Sequence, residues 1–416
     1  MAASPSITVN VAPFDVERVR ADFPLLRTLA QGGELVYLDN AATAQKPQCV
    51  IDATTDFYTR SNANVHRGIH ALSDQSTRLY EGARDRVREY LNAAHRHEVI
   101  FTRGTTESIN LVASSFGQLL KAGDEILVSG MEHHANIVPW HLLASRMGVR
   151  LRAIPVTDAG ELDVAAVPGL LNPRTRLLSV CHVSNTLGTI NPVKELIAMG
   201  HAAGIPVLLD GAQAIPHLRV DVRDLDVDFY AFSGHKVFGP TGTGILYGKE
   251  KWLERMPPYM GGGDMIDRVT LESTTFHHLP YKFEAGTPNI AGFAGLAAAI
   301  DYLNAMDHAG ALAHEQRLLH LATERLMEIP GMRIIGTAPE KVAVVSFLIG
   351  KLHPGDVGAL LDHAGIAVRS GHHCTQPLMD RFQVPGTVRA SFAFYNTEAE
   401  VDRLVQGLHK VIKMFQ

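Results

Sequence analysis

The chain has 416 residues, a length that suits one unusually large domain or two domains, and its 38 basic and 43 acidic side chains give a formal net charge of −5. Hydrophobic residues make up 46% of the chain and charged residues 19%, which excludes an intrinsically disordered protein. Because no basic excess is available to neutralise phosphate groups, nucleic-acid binding is not expected as the main function.

The predicted elements begin with a polar lead over residues 1–35 that contains one short helix, followed by a short strand that enters a turn in VYLDNAAT. From about residue 72 onward, short apolar runs alternate with helical patterns, which is typical of parallel strands buried on both faces. The middle of the chain is therefore predicted to be an α/β domain. Its predicted strands are 99–102, 125–129, 149–155, 175–184, 205–210 and 226–236, and the predicted helices between them include 140–147 and 193–204.

The C-terminal third has a different pattern. A long helix follows Pro288 and is predicted to lead out of the α/β domain, and the Gly-rich stretch 260–264 before it is predicted to be a loop, either a mobile gate or a plain turn. The remaining pattern predicts a smaller α+β domain. Its predicted helices are 311–329, 355–364 and 397–415, and its predicted strands are 333–335, 342–348 and 366–369.

Several features indicate a soluble, cytoplasmic protein. The apolar stretch 290–300 has 11 residues, which is too short to cross a bilayer, and the N-terminus has no apolar segment typical of a secretory signal. The three cysteines, Cys49, Cys181 and Cys374, are too sparse for a disulfide framework. Several of the 21 histidines are doubled, but no Cys/His spacing typical of a metal site occurs, so no metal is predicted.

Motifs that introduce three common enzyme classes are absent from the sequence. No G-x-x-x-x-G-K-[ST] motif of a P-loop NTPase occurs, and no G-x-G-x-x-G opens a helix near the N-terminus. The G-x-S-x-G motif of serine hydrolases is missing as well. The chemistry must therefore depend on other residues.

Polar residues at the ends of predicted strands provide candidates, since open α/β sheets bind ligands at the carboxyl ends of their strands. Lys236 in SGHK is either a surface charge or a Schiff-base nucleophile for a carbonyl cofactor. Asp210 in LLDGAQ ends a buried strand, where a carboxylate needs a partner such as the protonated ring nitrogen of pyridoxal phosphate (PLP). Gln213 could donate to the phenolate oxygen of the same ring.

A phosphate site and a ring-stacking group complete this set. In FTRGTTESINL, a strand runs through a small polar turn into a helix, whose first N–H groups could bind a phosphate with Thr105 and Thr106. Ser233 and His235 could complete that site from the lysine side. The MEHHAN segment offers an imidazole that could stack on a planar ring. Together, in this order, the four segments predict a PLP site.

The chain resembles the fold-type I PLP enzymes of the class V aminotransferase superfamily, and among them the group II cysteine desulfurases of the Suf/Csd type, which are related to selenocysteine lyases. This resemblance implies an α/β fold with a mainly parallel sheet in a large domain and a smaller α+β domain. The implied boundaries are 1–30 for an N-terminal part of the small domain, 31–300 for the large PLP-binding domain and 301–416 for the rest of the small domain. The motifs stand in family order from about residue 20 to 416 and are YLDNAAT, NVHRGIH, RGTTESIN, EHHAN, HVSNTLGT, DGAQ, SGHK, FEAGTPN, RSGHHC and RASFAFYNT.

The resemblance implies roles for several motif residues and a homodimer with active sites at the subunit interface. Lys236 would form the Schiff base, Asp210 would anchor the ring nitrogen and Gln213 the phenolate oxygen. His133 would stack on the ring and carry a proton to or from the substrate thiol. Thr105, Ser233 and His235 would bind the phosphate, and Thr287 would reach the phosphate of the other subunit. Asn185 and Arg389 would bind the substrate carboxylate, and Arg369 would lie beside the site.

Cys374 in RSGHHC is the candidate sulfur acceptor. A buried, inert thiol is the general expectation for a cysteine and is retained for the other two. For Cys374, the flanking Arg369, His372 and His373 are expected to favour the nucleophilic thiolate. The resemblance places the family's persulfide cysteine at this position.

The implied activity is conversion of L-cysteine to L-alanine, with the sulfur passed to Cys374 and then to a small acceptor protein of the Suf/Csd type for iron–sulfur cluster assembly. One alternative is a selenocysteine lyase, which need not use Cys374. Another is a non-catalytic scaffold for iron–sulfur assembly. A scaffold has no reason to keep Lys236, Asp210 and Cys374 together, which argues against that alternative.

Overall fold

The computed structural model describes residues 14–30 and 33–415. The first 13 residues of the predicted polar lead therefore lie outside the described residues, and its short helix is present as Val16–Arg20. The helices are α1 Val16–Arg20, α2 Gln48–Asp56, α3 Ala71–Tyr90, α4 Thr105–Ser115, α5 Val138–Met147, α6 Val167–Leu170, α7 Val193–Ala202, α8 Val222–Leu225, α9 Glu250–Arg255, α10 Ile290–Ala305, α11 His308–Met327, α12 Pro354–His363, α13 Gln376–Phe382 and α14 Glu398–Met414.

The strands form one large sheet and several smaller ones. The large sheet has seven strands in the spatial order β4-β10-β9-β8-β7-β5-β6, and a four-stranded sheet has the order β13-β14-β17-β16. The strands are β1 Leu29–Ala30, β2 Gly33–Glu34, β3 Val36–Tyr37, β4 Val99–Thr102, β5 Glu125–Ser129, β6 Arg150–Ile154, β7 Thr175–Cys181, β8 Val207–Asp210, β9 Phe229–Ser233, β10 Gly244–Gly248, β11 Ile266–Val269, β12 Thr274–Phe276, β13 Met332–Ile335, β14 Val344–Ile349, β15 Ile366–Ala367, β16 Arg369–Gly371 and β17 Thr387–Ser391.

The large sheet is mainly parallel, as predicted. Strands β5 to β9 pair in parallel. All of them except the edge strand β6 are buried along almost their whole length and mainly apolar, because both faces of the sheet are covered. Along β5, Leu127 joins one hydrophobic cluster while Ile126 and Val128 join the cluster on the opposite face. The carboxyl ends of β5, β7, β8 and β9 therefore meet along one edge of the sheet.

One strand of this sheet was not predicted. Strand β10 runs antiparallel to both of its neighbours, β4 and β9, and lies between them. As a result β4 points in the same direction as β9, and its carboxyl end joins the same edge. Glycines bound the run GILYG at both ends, so the sequence pattern resembles a loop, and the pairing on both sides determines its strand geometry.

The predicted strand at 366–369 is divided between two sheets. Residues Ile366–Ala367 pair in parallel with Val36–Tyr37 near the N-terminus, whereas Arg369–Gly371 pairs with β17. The chain changes partner between these two short strands, which apolar spacing alone cannot indicate. The hairpin of β11 and β12 was also missed, because most of its side chains are exposed and leave no alternating pattern.

Helix α11 connects the two parts of the hydrophobic core. Ala311 near its start packs in the cluster of the large sheet, whereas Leu318 and Leu326 belong to the cluster around the four-stranded sheet. The domain boundaries 1–30, 31–300 and 301–416 remain a prediction. Within residues 14–30 and 33–415, no helix combines the length and the apolar character needed to cross a membrane.

Candidate active site

All of the predicted site residues except Thr287 line one cavity of about 240 Å³. It lies at the edge where the carboxyl ends of the parallel strands meet, which is where open α/β sheets bind their ligands. The predicted residues in its wall are Thr105, Thr106, His133, Asn185, Asp210, Gln213, Ser233, His235, Lys236, Arg369, Cys374 and Arg389.

Thr287 lies elsewhere, on the wall of a second cavity that also includes Glu284 and Tyr281. Its side chain is exposed in this chain. The assignment of Thr287 to the phosphate of another subunit therefore remains a prediction.

Lys236 ends the short 3-10 turn that follows β9. Its side chain lines the cavity in an otherwise enclosed position, and burial lowers the pKa of its ammonium group to about 8. The nearby Arg389 lowers this pKa further, whereas Asp210 opposes the shift. A substantial neutral fraction near physiological pH makes Lys236 suitable as a nucleophile and as a base.

Asp210 and Gln213 both have hydrogen-bonding capacity that the protein leaves open. Asp210 is 5% exposed at the end of β8, its Oδ1 accepts a hydrogen bond from Ala212 N at 3.0 Å, and burial raises its pKa. The Oε1 atom of Gln213 is buried with no hydrogen-bond partner among the described residues. A cationic ring nitrogen would supply a donor to the Asp210 carboxylate, and the amide of Gln213, with its NH2 group turned toward the cavity, could donate to a ring oxygen, so these residues fit PLP.

The residues around the start of α4 fit its phosphate. Thr105 N donates to Ser233 Oγ at 2.8 Å, and the two side-chain hydroxyls are also 2.8 Å apart. His235 Nδ1 lies 3.2 Å from Thr43 Oγ1 beside them. The N–H groups of the first helical turn have no partners within the helix, and the positive end of the helix dipole favours an anion there.

The two adjacent histidines of EHHAN have different contacts: His133 lines the cavity, and His134 binds the loop that carries Cys374. Nδ1 of His133 accepts a hydrogen bond from Ala135 N at 3.0 Å, and burial and then the charge of Lys236 lower the pKa of the ring to about 3. The neutral ring therefore carries its proton on Nε2. The next residue, His134, donates from its backbone N to Cys374 O at 2.8 Å and so holds the cysteine loop.

Cys374 lies on a tight loop with unusual backbone geometry. Both His373 and Cys374 have left-handed φ angles, 51° and 58°. Cys374 N donates to His372 Nδ1 at 3.1 Å, and Asn185 Nδ2 donates to His373 O at 2.8 Å. Since non-glycine residues rarely adopt this region, the surrounding hydrogen bonds must hold the loop in place. The thiol is partly exposed and faces the same cavity as Lys236.

The prediction that His373 contributes positive charge beside Cys374 is wrong. His373 is 6% exposed and its Nε2 lies 2.8 Å from Thr387 Oγ1. Burial, together with Arg389 and Arg369, lowers the pKa of His373 to about 3, so this ring is neutral and adds no positive charge. The fixed positive charges on this side of the cavity are the two arginines.

Arg389 is 2% exposed, and its guanidinium is largely occupied by protein groups. Nη1 donates to Asn185 O and Nη2 to Asp39 Oδ1, each at 2.9 Å, while Nε is buried with no partner among the described residues. Arg369 is more open, and its Nη1 lies 3.6 Å from Asp39 Oδ2. Both arginines could therefore bind a substrate carboxylate in the cavity that they line.

Comparisons with known proteins agree with this geometry. Residues 36–404 match the family described as aminotransferase class-V. The chain belongs to this family.

Relatives and solved structures resemble this class V chain over nearly its whole length. A cysteine desulfurase from Serratia proteamaculans is 52% identical over 403 residues, covering 96% of this chain and 99% of the relative. The crystal structure of the Escherichia coli cysteine desulfurase CsdA, an S-sulfonic acid form, has a TM-score of 0.90 at 42% identity and covers 96% of this chain and 99% of that one. A C-DES mutant with glycine covalently linked to its PLP cofactor has a TM-score of 0.81 at 25% identity, covering 94% and 98%. The predicted family and fold class are confirmed.

Sequence reasoning missed several residues of this class V site. Asp39, Thr43 and Lys46 follow strand β3. Asp39 and Thr43 belong to the YLDNAAT motif, which supported the resemblance without any role being assigned to them. Asp39 pairs with Arg389, while Lys46 Nζ donates to His235 O at 2.9 Å, directly before Lys236. The signal that could have found them is a set of polar residues, separated by alanines, directly after a short predicted strand.

Cys181 also lines the cavity, although its position inside an apolar strand predicted an inert thiol. It is 4% exposed, and burial raises the pKa of the thiol well above its usual value, with Glu132 and Asp210 adding to the shift. Asn191 Nδ2 lies 3.4 Å from its Sγ atom. Because the thiol stays protonated, the interpretation of Cys181 as unreactive is retained.

Proposed function

We propose that this class V enzyme is a PLP-dependent cysteine desulfurase that converts L-cysteine to L-alanine and receives the sulfur on Cys374 as a persulfide. The observation that carries this proposal is the placement of Cys374 and Lys236 on the wall of one cavity. In the overall reaction the substrate sulfur is transferred to the sulfur of Cys374. A hydrogen replaces the sulfur on the substrate Cβ, which gives L-alanine, so atoms and electrons balance. The similarity to cysteine desulfurases favours this reaction over selenocysteine cleavage.

The residues that would hold PLP are those whose hydrogen-bonding capacity is left open. Asp210 would contact the ring nitrogen, Gln213 the ring oxygen, and His133 the face of the ring, while Lys236 would hold the cofactor covalently at rest. When bound, PLP acts as an electron sink that stabilises negative charge on the substrate Cα. The phosphate would be bound by the α4 N-terminus with the side chains Thr105, Thr106, Ser233 and His235.

Lys236 would also serve as the base. When not bonded to the cofactor, the Lys236 amine would face the cavity in which the substrate binds. Its pKa of about 8 leaves a substantial fraction neutral near physiological pH, so it can accept the Cα proton and return one later.

Sulfur transfer would use other groups that line the same cavity. The neutral His133 can exchange a proton with the substrate thiol through Nε2. Arg389, with its unpartnered Nε, and Asn185 would bind the substrate carboxylate, with Arg369 beside them. This orientation would direct the substrate sulfur toward the Cys374 thiolate, which attacks it.

Two partners follow from the same proposal. Partial exposure of Cys374 would let a small acceptor protein take the persulfide sulfur for iron–sulfur cluster assembly. A homodimer would bring Thr287 to the phosphate of the partner's site. The exposure of Thr287 in this chain, outside the cavity that holds the other predicted site residues, supports this role.

The test supplies L-cysteine to the purified holoenzyme, measures L-alanine, and then digests the protein without reductant for mass spectrometry. We expect one added sulfur on Cys374. A persulfide on Cys49 or Cys181 instead, or a protein that takes up no PLP, would refute the proposal. Sedimentation of a fully active monomer would contradict the dimer alone.

A further inference from the structure

Three buried side chains connect helix α11 to the cofactor side of the cavity. Glu315 on α11 faces His217, with Glu315 Oε2 and His217 Nδ1 2.8 Å apart and both side chains 4% exposed. The other ring nitrogen, His217 Nε2, lies 3.3 Å from Gln213 Nε2. Gln213 in turn lines the cavity. The path from α11 to the cofactor site is therefore continuous.

At each end of this path, one side-chain oxygen has no hydrogen-bond partner within the described part of the chain. Gln213 Oε1 and Glu315 Oε1 are buried with no hydrogen-bond partner among the described residues. The oxygen and nitrogen of an amide are nearly equal in size, so its two orientations differ mainly in the hydrogen bonds that they make. Turning the Gln213 amide would bring Oε1 to His217 and free the NH2 group for another acceptor.

The protonation of His217 determines which orientation fits. Nδ1 faces a carboxylate and must therefore donate. In a neutral ring, Nε2 would then be an acceptor and would bind the amide NH2 group of Gln213. In an imidazolium, Nε2–H would donate to the amide oxygen instead.

Glu315 is the charged group in contact with this ring. The small cavity around His217 is also lined by Tyr90 and His308. Burial raises the pKa of Tyr90 to about 12, and burial followed by Arg219 lowers the pKa of His308, so neither side chain adds a charge near neutral pH. The carboxylate of Glu315 is thus placed to accept the Nδ1–H hydrogen bond of His217 and to stabilise an additional proton on His217 Nε2.

We propose that Glu315 and His217 are positioning residues that turn the Gln213 amide, so that its NH2 group donates to the ring oxygen of bound PLP. This inference rests on the proposed function. The turned amide satisfies Gln213 Oε1 through His217 and presents a donor, rather than a second oxygen, to the negatively charged ring oxygen. Helix α11, which joins both parts of the core, thereby supports the cofactor without touching it.

The test compares the PLP-loaded parent with Glu315→Gln, which keeps the shape of the side chain, and His217→Phe, which keeps a planar ring. We expect each variant to bind PLP about 10-fold more weakly. Loss of the donor favours protonation of the ring oxygen, so the pH at which the absorbance of the bound cofactor changes should rise by roughly 1 unit.

The control is His201→Phe, which removes a histidine from another ion pair, where His201 Nε2 and Asp228 Oδ2 are 2.7 Å apart. It should leave both measurements unchanged. In a Gln213→Leu background, Glu315→Gln should have no further effect on PLP affinity, whereas a general structural defect would add to it.

Two results would overturn the positioning role: parent-like PLP affinity and absorbance titration in Glu315→Gln, or an effect that persists in full in the Gln213→Leu background. If His217→Phe does not fold, Glu315→Gln still decides the question. A parent protein that takes up no PLP would overturn the proposed function and this inference with it. Normal uptake by the parent with unchanged variants would overturn only the positioning role.

Discussion

The two walls of the cavity are built in different ways. The cofactor wall includes residues at the ends of fully buried strands, such as Asp210 at the end of β8 and Ser233 at the end of β9. The cysteine wall is a short loop with consecutive left-handed residues, held by hydrogen bonds from His134 and Asn185. The large sheet determines the position of the cofactor wall. Hydrogen bonds from neighbouring residues determine the position of the cysteine wall.

This difference matches the two tasks of the proposed reaction. Proton transfer at the substrate Cα needs a base with a suitable pKa in a fixed position, and burial at a strand end provides both for Lys236. Sulfur delivery needs a thiol that faces both the cavity and an acceptor protein, and a partly exposed loop provides that for Cys374. Substitutions on the two walls should therefore have separable effects.

The largest effect is expected from Lys236→Ala, which removes the cofactor linkage and the proposed base. We expect L-alanine formation to fall by at least about 1,000-fold, with PLP held only noncovalently and no longer fixed to the protein by borohydride. Lys341→Met is a matched control, because Lys341 is another buried lysine whose pKa is lowered to about 8 but lies outside the cavity wall. Substantial turnover by Lys236→Ala would remove Lys236 from its proposed role.

Cys374→Ala should affect sulfur transfer at the cysteine wall without affecting the cofactor wall. The cofactor site is untouched, so we expect normal PLP absorbance and a normal spectral response to L-cysteine, while L-alanine formation with an acceptor falls by about 100-fold. Absorbance titration and an alanine assay on the same sample would show both results.

The control for this variant is Cys49→Ala. Cys49 was predicted to be a buried thiol, which is wrong, because it is exposed, and it lies outside the cavity wall. Cys49→Ala should behave like the parent. Undiminished desulfuration by Cys374→Ala in the presence of an acceptor would contradict the assignment of the sulfur acceptor.

Acid should destabilise the cysteine wall through His373. Its pKa is about 3 in the folded protein and near 6.5 when unfolded, so the unfolded chain binds the extra proton between these values and stability is lost as pH falls below about 6.5. At pH 5 this amounts to about 2 kcal/mol of the free energy of unfolding. His373→Asn should reduce the loss between pH 7 and pH 5 by that amount, measured by chemical denaturation.

The matched control is His320→Asn, because His320 is an exposed histidine on α11. It should leave the acid dependence of the parent unchanged. If His373→Asn loses as much stability between pH 7 and pH 5 as the parent does, the buried ring is not a source of the acid sensitivity.

The smallest effect is expected from Thr387→Val, which keeps the shape of the side chain and removes the hydroxyl beside His373 Nε2. Loss of one buried hydrogen bond destabilises the conformation of the cysteine loop by about 1 kcal/mol. The rate of persulfide formation should therefore fall by roughly 5-fold. PLP absorbance should not change. A shifted cofactor spectrum in this variant would show that the two walls are not independent.

Much of the site could be predicted because strand ends carry a clear sequence signal. Asp210 and Lys236 follow apolar runs, and the parallel sheet brings those ends to one edge whatever the details of packing. The charge expected on His373 could not be judged in this way. Its pKa depends on burial and on Arg389 and Arg369, and the sequence does not show how deeply a loop side chain is enclosed.

The sequence by itself determined the α/β pattern, the family and most of the residues around the cavity, because apolar periodicity and local motifs are properties of neighbouring residues. Only the tertiary structure decided that β10 lies between β4 and β9 and that 366–371 divides between two sheets. It alone brought Glu315 to His217 across 98 positions of the chain. Contacts between such distant segments depend on how whole elements pack against each other, and no local pattern encodes them.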